Sequence, residues 1–327
     1  MGLAASVIIC TYNPRPDYLG RVLEALREQT LPLDQWELIV IDNASDQPVA
    51  DEWDLRWHPL GRHVRENELG LTPARLRGIG EAVSELLVFV DDDNVLARDY
   101  LETTLSIGRE WPQLGAWGGI IEGEFEREPE PWTRPLLVHL AIRQFSAPIW
   151  SNNPDDRRAQ PCGAGLCVRA AVARAYVSQV AADPRRRKLD RIGSAMSSCG
   201  DTDLVLTACD LGQGFGNFPG LFLTHLIAAR RAQPDYLIKL MQGIAASAIV
   251  LRFLRIGELP SPPSRVRSLL RFGLIVVRQG LPRARLYGAS QVAIFNGIRA
   301  IRQLTADGQD KEGSHQSFPA CGDRLNA

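Results

Sequence analysis

The sequence predicts an α/β fold: a mixed, mainly parallel sheet flanked by helices, with a helical appendage at the C-terminal end. Three observations carry that expectation. The apolar runs Ser6–Cys10, Trp36–Ile41 and Leu87–Val90 each stop abruptly at polar residues, as buried parallel strands do where open sheets gather ligands. Stretches with apolar residues at helical spacing lie between them, the alternation of a doubly wound sheet. Beyond Arg231 the chain turns to long segments of Ala, Leu, Ile and Arg.

In chain order, Val7-Ile8-Ile9-Cys10 is the first strand, and Thr11-Tyr12-Asn13-Pro14 its turn, because proline keeps the preceding residue out of the helical region. Leu19, Val22, Leu23 and Leu26 space a crossover helix over Asp17–Gln29. The second strand ends in Asp42-Asn43-Ala44-Ser45. After the Gly- and Pro-bearing loop from Asn67, a helix is expected over Ala74–Leu86. Arg75 and Arg77 near its start oppose the helix dipole unless an anion is close, so they are either diphosphate ligands or two solvated arginines. The third strand ends in Asp91-Asp92-Asp93-Asn94. Three adjacent carboxylates suit Mg²⁺ or Mn²⁺ better than zinc, or else form an acidic loop with Asn94 starting a helix.

A helix over Arg98–Arg109 leads to the Gly-rich strand from Gly115, and the acidic, proline-rich Glu122–Pro135 reads as a loop or edge, suited to a lid. Gly163 and Gly165, beside a short strand, permit close approach of a ligand or of another backbone. Gly200-Asp201-Thr202-Asp203 opens a helical pattern. Either Asp201 or Thr202 is the N-cap there, or Asp201 is a general base turned into a cleft. Phe218–Ile227 is a strand carrying His225, an imidazole that is structural or a metal ligand. Helices are expected over Asp235–Ile256, Ser264–Arg278 and Pro282–Leu304. The organisation is a catalytic domain over 1–231, a basic helical region over 232–305 and a disordered tail over 306–327.

With 327 residues, 45% of them hydrophobic, the chain can bury a large core. Its formal charge of -1 conceals an asymmetry: residues 228–303 hold 13 Lys/Arg against 2 Asp/Glu, and residues 1–227 hold 22 against 32. Such a basic third could pack on the acidic domain or meet anionic lipid. The six cysteines include no Cys-x-x-Cys pair, so free thiols in a reducing cytosol are expected. No signal-peptide pattern opens the chain. No uninterrupted apolar stretch approaches the ~18 residues of a spanning helix, the best being Ile244–Leu251 and Phe272–Val277.

Five ordered pieces, Val7–Asn13, Val40–Ser45, Asn67–Arg75, Val90–Asp93 and Gly200–Leu204, together resemble the inverting nucleotide-sugar glycosyltransferases of family 2, which have the GT-A fold. The resemblance spans Ala5 to Arg231. It implies that Thr11, Tyr12, Asn13, Asp42, Asn43, Arg75, Asp91, Asp92 and Gly163 bind the donor, a UDP-, GDP- or dTDP-sugar. It also implies a divalent cation, Mg²⁺ or Mn²⁺, on Asp93 with a late histidine, here His225. The family's base is the second acid of a Glu-Asp pair, matched by Asp201, while Gly200 stands where the first acid is expected. The motif and spans of processive polymer synthases are absent, so transfer of one sugar is implied.

The chemistry requires such groups. Expelling a nucleoside diphosphate builds negative charge that a cation must offset, and an acceptor hydroxyl needs a carboxylate to take its proton. The expected enzyme is a cytoplasmic glycosyltransferase of cell-surface polysaccharide or glycolipid assembly, peripheral to the membrane, with a glycan or lipid-linked acceptor and no nucleic-acid partner. A Mg²⁺-dependent nucleotidyltransferase or phosphohydrolase would use the same acids, and a non-catalytic nucleotide-sugar binder would explain the missing acid.

Overall fold

The computed structural model describes residues 2–193 and 196–313. Strand β1 (Ala5–Thr11) lies between β2 (Trp36–Asn43) and β4 (Leu86–Asp91), parallel to both, and β2 pairs in parallel with β3 (Gly61–Glu66). The crossover helix α1 (Pro16–Arg27) buries Tyr18, Leu19, Val22, Leu23 and Leu26, the expected helical stripe. A short α2 (Val49–Glu52) precedes β3, and α3 (Leu71–Glu81) precedes β4. Helix α3 ends before the expected Leu86 because Leu86 and Leu87 are buried in β4 instead. Alternate residues of β1 feed opposite faces: Val7 and Ile9 join Leu19, Val88 and Val90, while Ile8 joins Ile79, Leu87 and Phe89. Each such side chain contributes roughly 1.5–3 kcal/mol by burial.

Next come β5 (Asn94–Leu96), α4 (Tyr100–Glu110), β6 (Leu114–Phe125), β7 (Ile149–Ser151), β8 (Leu166–Arg169), α5 (Ala170–Ala182), α6 (Gly200–Asp210) and β9 (Gly214–Ile227). Strand β8 runs antiparallel to β4 and β6, and β6 runs parallel to β9. Among the described residues the order is β3-β2-β1-β4-β8-β6-β9-β5, with β7 also on β9. Asn94 begins a strand and not a helix, because β9 offers it a ladder in which Asn94 faces His225. The acidic segment after Glu122 is partly ordered: β6 runs to Phe125 and a 3-10 stretch spans Pro131–Leu140.

The C-terminal region is α7 (Pro234–Ile256), α8 (Arg265–Gln279) and α9 (Leu281–Gly313). Helix α7 contains no uninterrupted apolar run of that length, yet over its best 18 residues the mean hydropathy is 1.7, long and apolar enough to cross a membrane, with 28% of that window buried. Lys239 and Arg252 interrupt the run without lowering its mean enough. Helix α7 packs along α9 so closely that a β-carbon on Gly297 would lie 2.9 Å from Ile249. Helix α9 continues past residue 306, where a disordered tail was expected. The rest of that expected tail, 314–327, lies outside the described residues.

Candidate active site

A cleft of about 1210 Å³ opens at the C-terminal edge of β1 and β4, where the strand order reverses, the place at which open α/β sheets bind ligands. Thr11, Tyr12, Asn13, Asn43, Arg75 and Gly163 line it, as do Asp91, Asp92, Asp93, Asp201 and His225. Asp42 is the exception. It is buried and its carboxylate accepts from the amides of Ser45 (3.0 Å) and Val49 (3.1 Å) and from Arg65 (2.6 Å), so it braces its own loop outside the lining. Asn43 borders the cleft but spends its amide on the next loop, donating to the Glu68 carbonyl (2.7 Å) and accepting from the Gly70 amide (2.8 Å). Tyr12 is 44% exposed. Asn13 adopts a left-handed φ of 47° and braces Asp46 (3.0 Å).

The acidic end of β4 divides into unlike groups. Thr11 Oγ1 donates to Asp92 (2.5 Å), yet burial and the neighbouring Asp93 push the Asp92 carboxyl up to about 7. Burial and Asp93 also push Asp91 up. At Asp93 burial works in the same direction, but His225 and Arg231 outweigh it and hold this carboxyl well below the usual range. Arg231 Nη1 lies 2.6 Å and His225 Nε2 3.2 Å from one Asp93 oxygen.

These residues can hold a cation. His225 Nδ1 sits 2.8 Å from the Leu140 carbonyl, which can only accept, so that nitrogen carries the proton. The other ring nitrogen, Nε2, faces the Asp93 carboxylate, so a proton or a cation must lie between the two. The arrangement is that of a metal-ligating histidine oriented by a backbone carbonyl. Among the described residues no three His, Cys, Asp or Glu side chains form a closed site. Mg²⁺ ordinarily takes one or two carboxylates and completes its shell with water and substrate phosphate, so Asp93 and His225 fit the group, provided Arg231 releases the shared oxygen.

Asp201 sits in the first turn of α6, but Cys199, not Asp201 or Thr202, is the N-cap. One Asp201 oxygen accepts from the Gly163 amide (2.7 Å) and the other from the Thr202 amide (2.7 Å). Gly163 is glycine for close approach: a β-carbon there would lie 2.7 Å from Arg75 and 3.1 Å from Asp201. Arg75 lines the cleft but is not solvated. It is 4% exposed and pairs with Asp190 at 2.8 Å, and although burial opposes its charge, Asp190, Asp201 and Asp91 hold it protonated. Arg77 is the solvent-facing member, paired with Glu81 at 2.9 Å.

Asp190 and Arg231 escaped the sequence reading. Asp190 also accepts from Thr72 (3.2 Å) and from the Gly200 amide (3.0 Å), and a β-carbon on Gly200 would overlap its carboxylate. The space next to Asp201 that a residue-200 side chain would enter is thus already filled by an acid from ten residues earlier. Arg231 had a faint signal, the Arg230-Arg231 pair soon after His225; both line the cleft, with Arg191. Cys10 borders the cleft as well, but burial pushes its thiol up to about 12, which removes it as a nucleophile.

Residues 6–176 match the family model described as Glycosyl transferase family 2. Two curated relatives carry glycosyltransferase in their names. EpsH of Bacillus subtilis is 31% identical over 105 residues, and AglE of Haloferax volcanii is 29% identical over 104. The match takes in 31% of this chain in each case, and the chain spans only 29% and 34% of those relatives. Among solved structures, GalNAc-T7 with UDP, GalNAc and Mn²⁺ superposes with a TM-score of 0.51 at 16% identity, over 82% of this chain and 54% of that one. That likeness extends to the fold, a curled mixed sheet with helices around it.

Proposed function

Since this chain belongs to glycosyl transferase family 2, the family model covering 6–176, we propose that it transfers a single sugar from a nucleotide-sugar donor to an acceptor hydroxyl, inverting the anomeric centre. One observation carries the reading: a single cleft holds two carboxylates with different partners. Asp93 is held by a cation and an imidazole, and Asp201 by two main-chain amides.

Thr11, Tyr12 and Asn13 would receive the nucleoside, with the exposed Tyr12 ring offering a stacking face. Arg191, Arg230 and Arg231 would surround the diphosphate, replacing its counterions as it leaves. A divalent cation on Asp93 and His225 would add its charge to the leaving group's neutralisation. Asp201 accepts one amide hydrogen bond per oxygen, which leaves lone pairs for the acceptor hydroxyl. It would take that proton as the oxygen attacks the face opposite the diphosphate. Arg75, fixed by Asp190, stays beside Asp201 without bonding to it in place of the acceptor. Asp42 and Asn43 serve by bracing loops. The acceptor is read as a glycan or lipid-linked intermediate of cell-surface assembly, reached at the inner face of a membrane; the basic C-terminal third supports this.

The test is Asp201→Asn. Transfer should fall by about 10²–10⁴, the worth of a positioned general base, while donor binding measured by calorimetry persists. Normal turnover by this variant would refute the assignment.

A further inference from the structure

None of the residues of helix α8 is fully buried. One side rests on α9, where Ser268 bonds Gln291 at 3.1 Å, the Phe272 ring packs at Gly288, and Arg271 lies over the Tyr287 ring at 5.4 Å. The other side is apolar. Val266, Leu269, Leu270, Leu274 and Val277 are 67%, 72%, 71%, 48% and 85% exposed, and their spacing places them on one stripe of a helix. Arg267, Arg271 and Arg278, four and seven residues apart, fall along one margin of that stripe. Among the described residues no acid pairs with them. The two acids within residues 228–303, Asp235 and Glu258, are paired with Arg285 (2.9 Å) and Arg252 (2.6 Å).

We propose that α8 lies in the plane of an anionic bilayer surface, its apolar stripe at the acyl boundary and the arginine margin at the lipid phosphates. Charge complementarity selects this occupant: an apolar face bordered by arginines matches a surface that is apolar below and anionic at the rim. The position suits the cleft. Ile256 lines it and is 62% exposed, and Leu259, 49% exposed, follows just before the Pro260–Pro263 linker to α8, so two exposed apolar residues stand between the cleft lining and the helix along the chain. The inference rests on the proposed function only for its purpose, presenting the cleft to a membrane-borne acceptor; the docking itself needs neither donor nor transfer.

The test is co-flotation of the full chain with vesicles of phosphatidylcholine alone or containing phosphatidylglycerol. Wild type should float only with the anionic vesicles. Arg267→Gln/Arg271→Gln/Arg278→Gln should weaken partition about a hundredfold, with a difference that shrinks at high salt. Leu270→Glu/Val277→Glu should weaken it at least about tenfold, and the emission of a Leu270→Trp variant should shift to the blue and be quenched by brominated lipid. All these positions are on the surface, so unchanged circular dichroism and unchanged donor binding are expected throughout. Equal flotation of wild type and variants would overturn the proposal. So would a concentration-dependent dimer, seen by sedimentation, that Leu270→Glu/Val277→Glu dissolves without any vesicle binding by wild type. Loss of transfer with intact flotation would count against the proposed function alone.

Discussion

Arg231 and Asp93 form the pair on which donor binding should depend most. Their ion pair is buried and spans 138 residues of sequence, and a charge-assisted hydrogen bond of this kind contributes ~1.5–3 kcal/mol. Arg231→Met should therefore weaken nucleoside diphosphate binding about 10–100-fold with or without Mn²⁺, whereas Asp93→Asn should remove only the Mn²⁺-dependent increment; calorimetry with and without the metal separates the two. A second residue governs stability and not chemistry. His58 packs edge-on against Trp36 and Trp57, accepts from the Leu60 amide at 3.1 Å, and among the described residues has no partner for Nε2. Burial pushes it down to about 4 from 6.5. The unfolded chain then binds more protons between those values, so stability is complete above about pH 6.5 and declines as pH falls toward 4, by at most about 3 kcal/mol. His58→Phe should flatten that slope in urea unfolding curves recorded from pH 4 to 7.

At the scale of elements, the docking of α6 on the turn before β8 sets the position of Asp201. The first turn of α6 is pinned by Asp190 at the Gly200 amide and by Asp201 at the Gly163 amide, so two short-range contacts fix a helix end whose side chains provide no cap of their own. Gly200→Ala should press a methyl group into the Asp190 carboxylate, costing roughly 1–3 kcal/mol as overpacking does and lowering kcat by displacing Asp201. Combined with Asp190→Ala, the two losses in stability should not add, because the clash disappears with the carboxylate; urea denaturation of the single and double variants checks this. Sequence periodicity read α1, β1, β2 and β4 well, since each keeps an unbroken buried stripe or run. It misread the start of β5, where a three-residue pairing with β9 overrode the local helix signal of Asn94. It also missed the buried role of Arg75, whose partner Asp190 lies 115 residues away.

Across the whole molecule, the C-terminal helices are joined to the catalytic part through a shared core. Ile301 and Leu304 of α9 and Val250 and Leu251 of α7 belong to the apolar cluster that contains Ile8, Val172 and Tyr176. Ile301→Ala should cost roughly 2–5 kcal/mol and shift one cooperative transition; two separate transitions in urea would show the region to be an independent unit. What the amino-acid sequence determined by itself was the alternation of strands and helices, the acidic strand ends and the basic C-terminal third, because periods of 2 and 3.6 and the signs of charges are local properties. Only the tertiary structure decided that Asp42 turns to its own loop, that Asp190 fills the space beside Gly200, and that Arg231 meets Asp93. The physical reason is desolvation. A buried charge must find a partner once the chain closes around it, and which partner is within reach depends on how distant segments pack, not on the residues beside it in sequence.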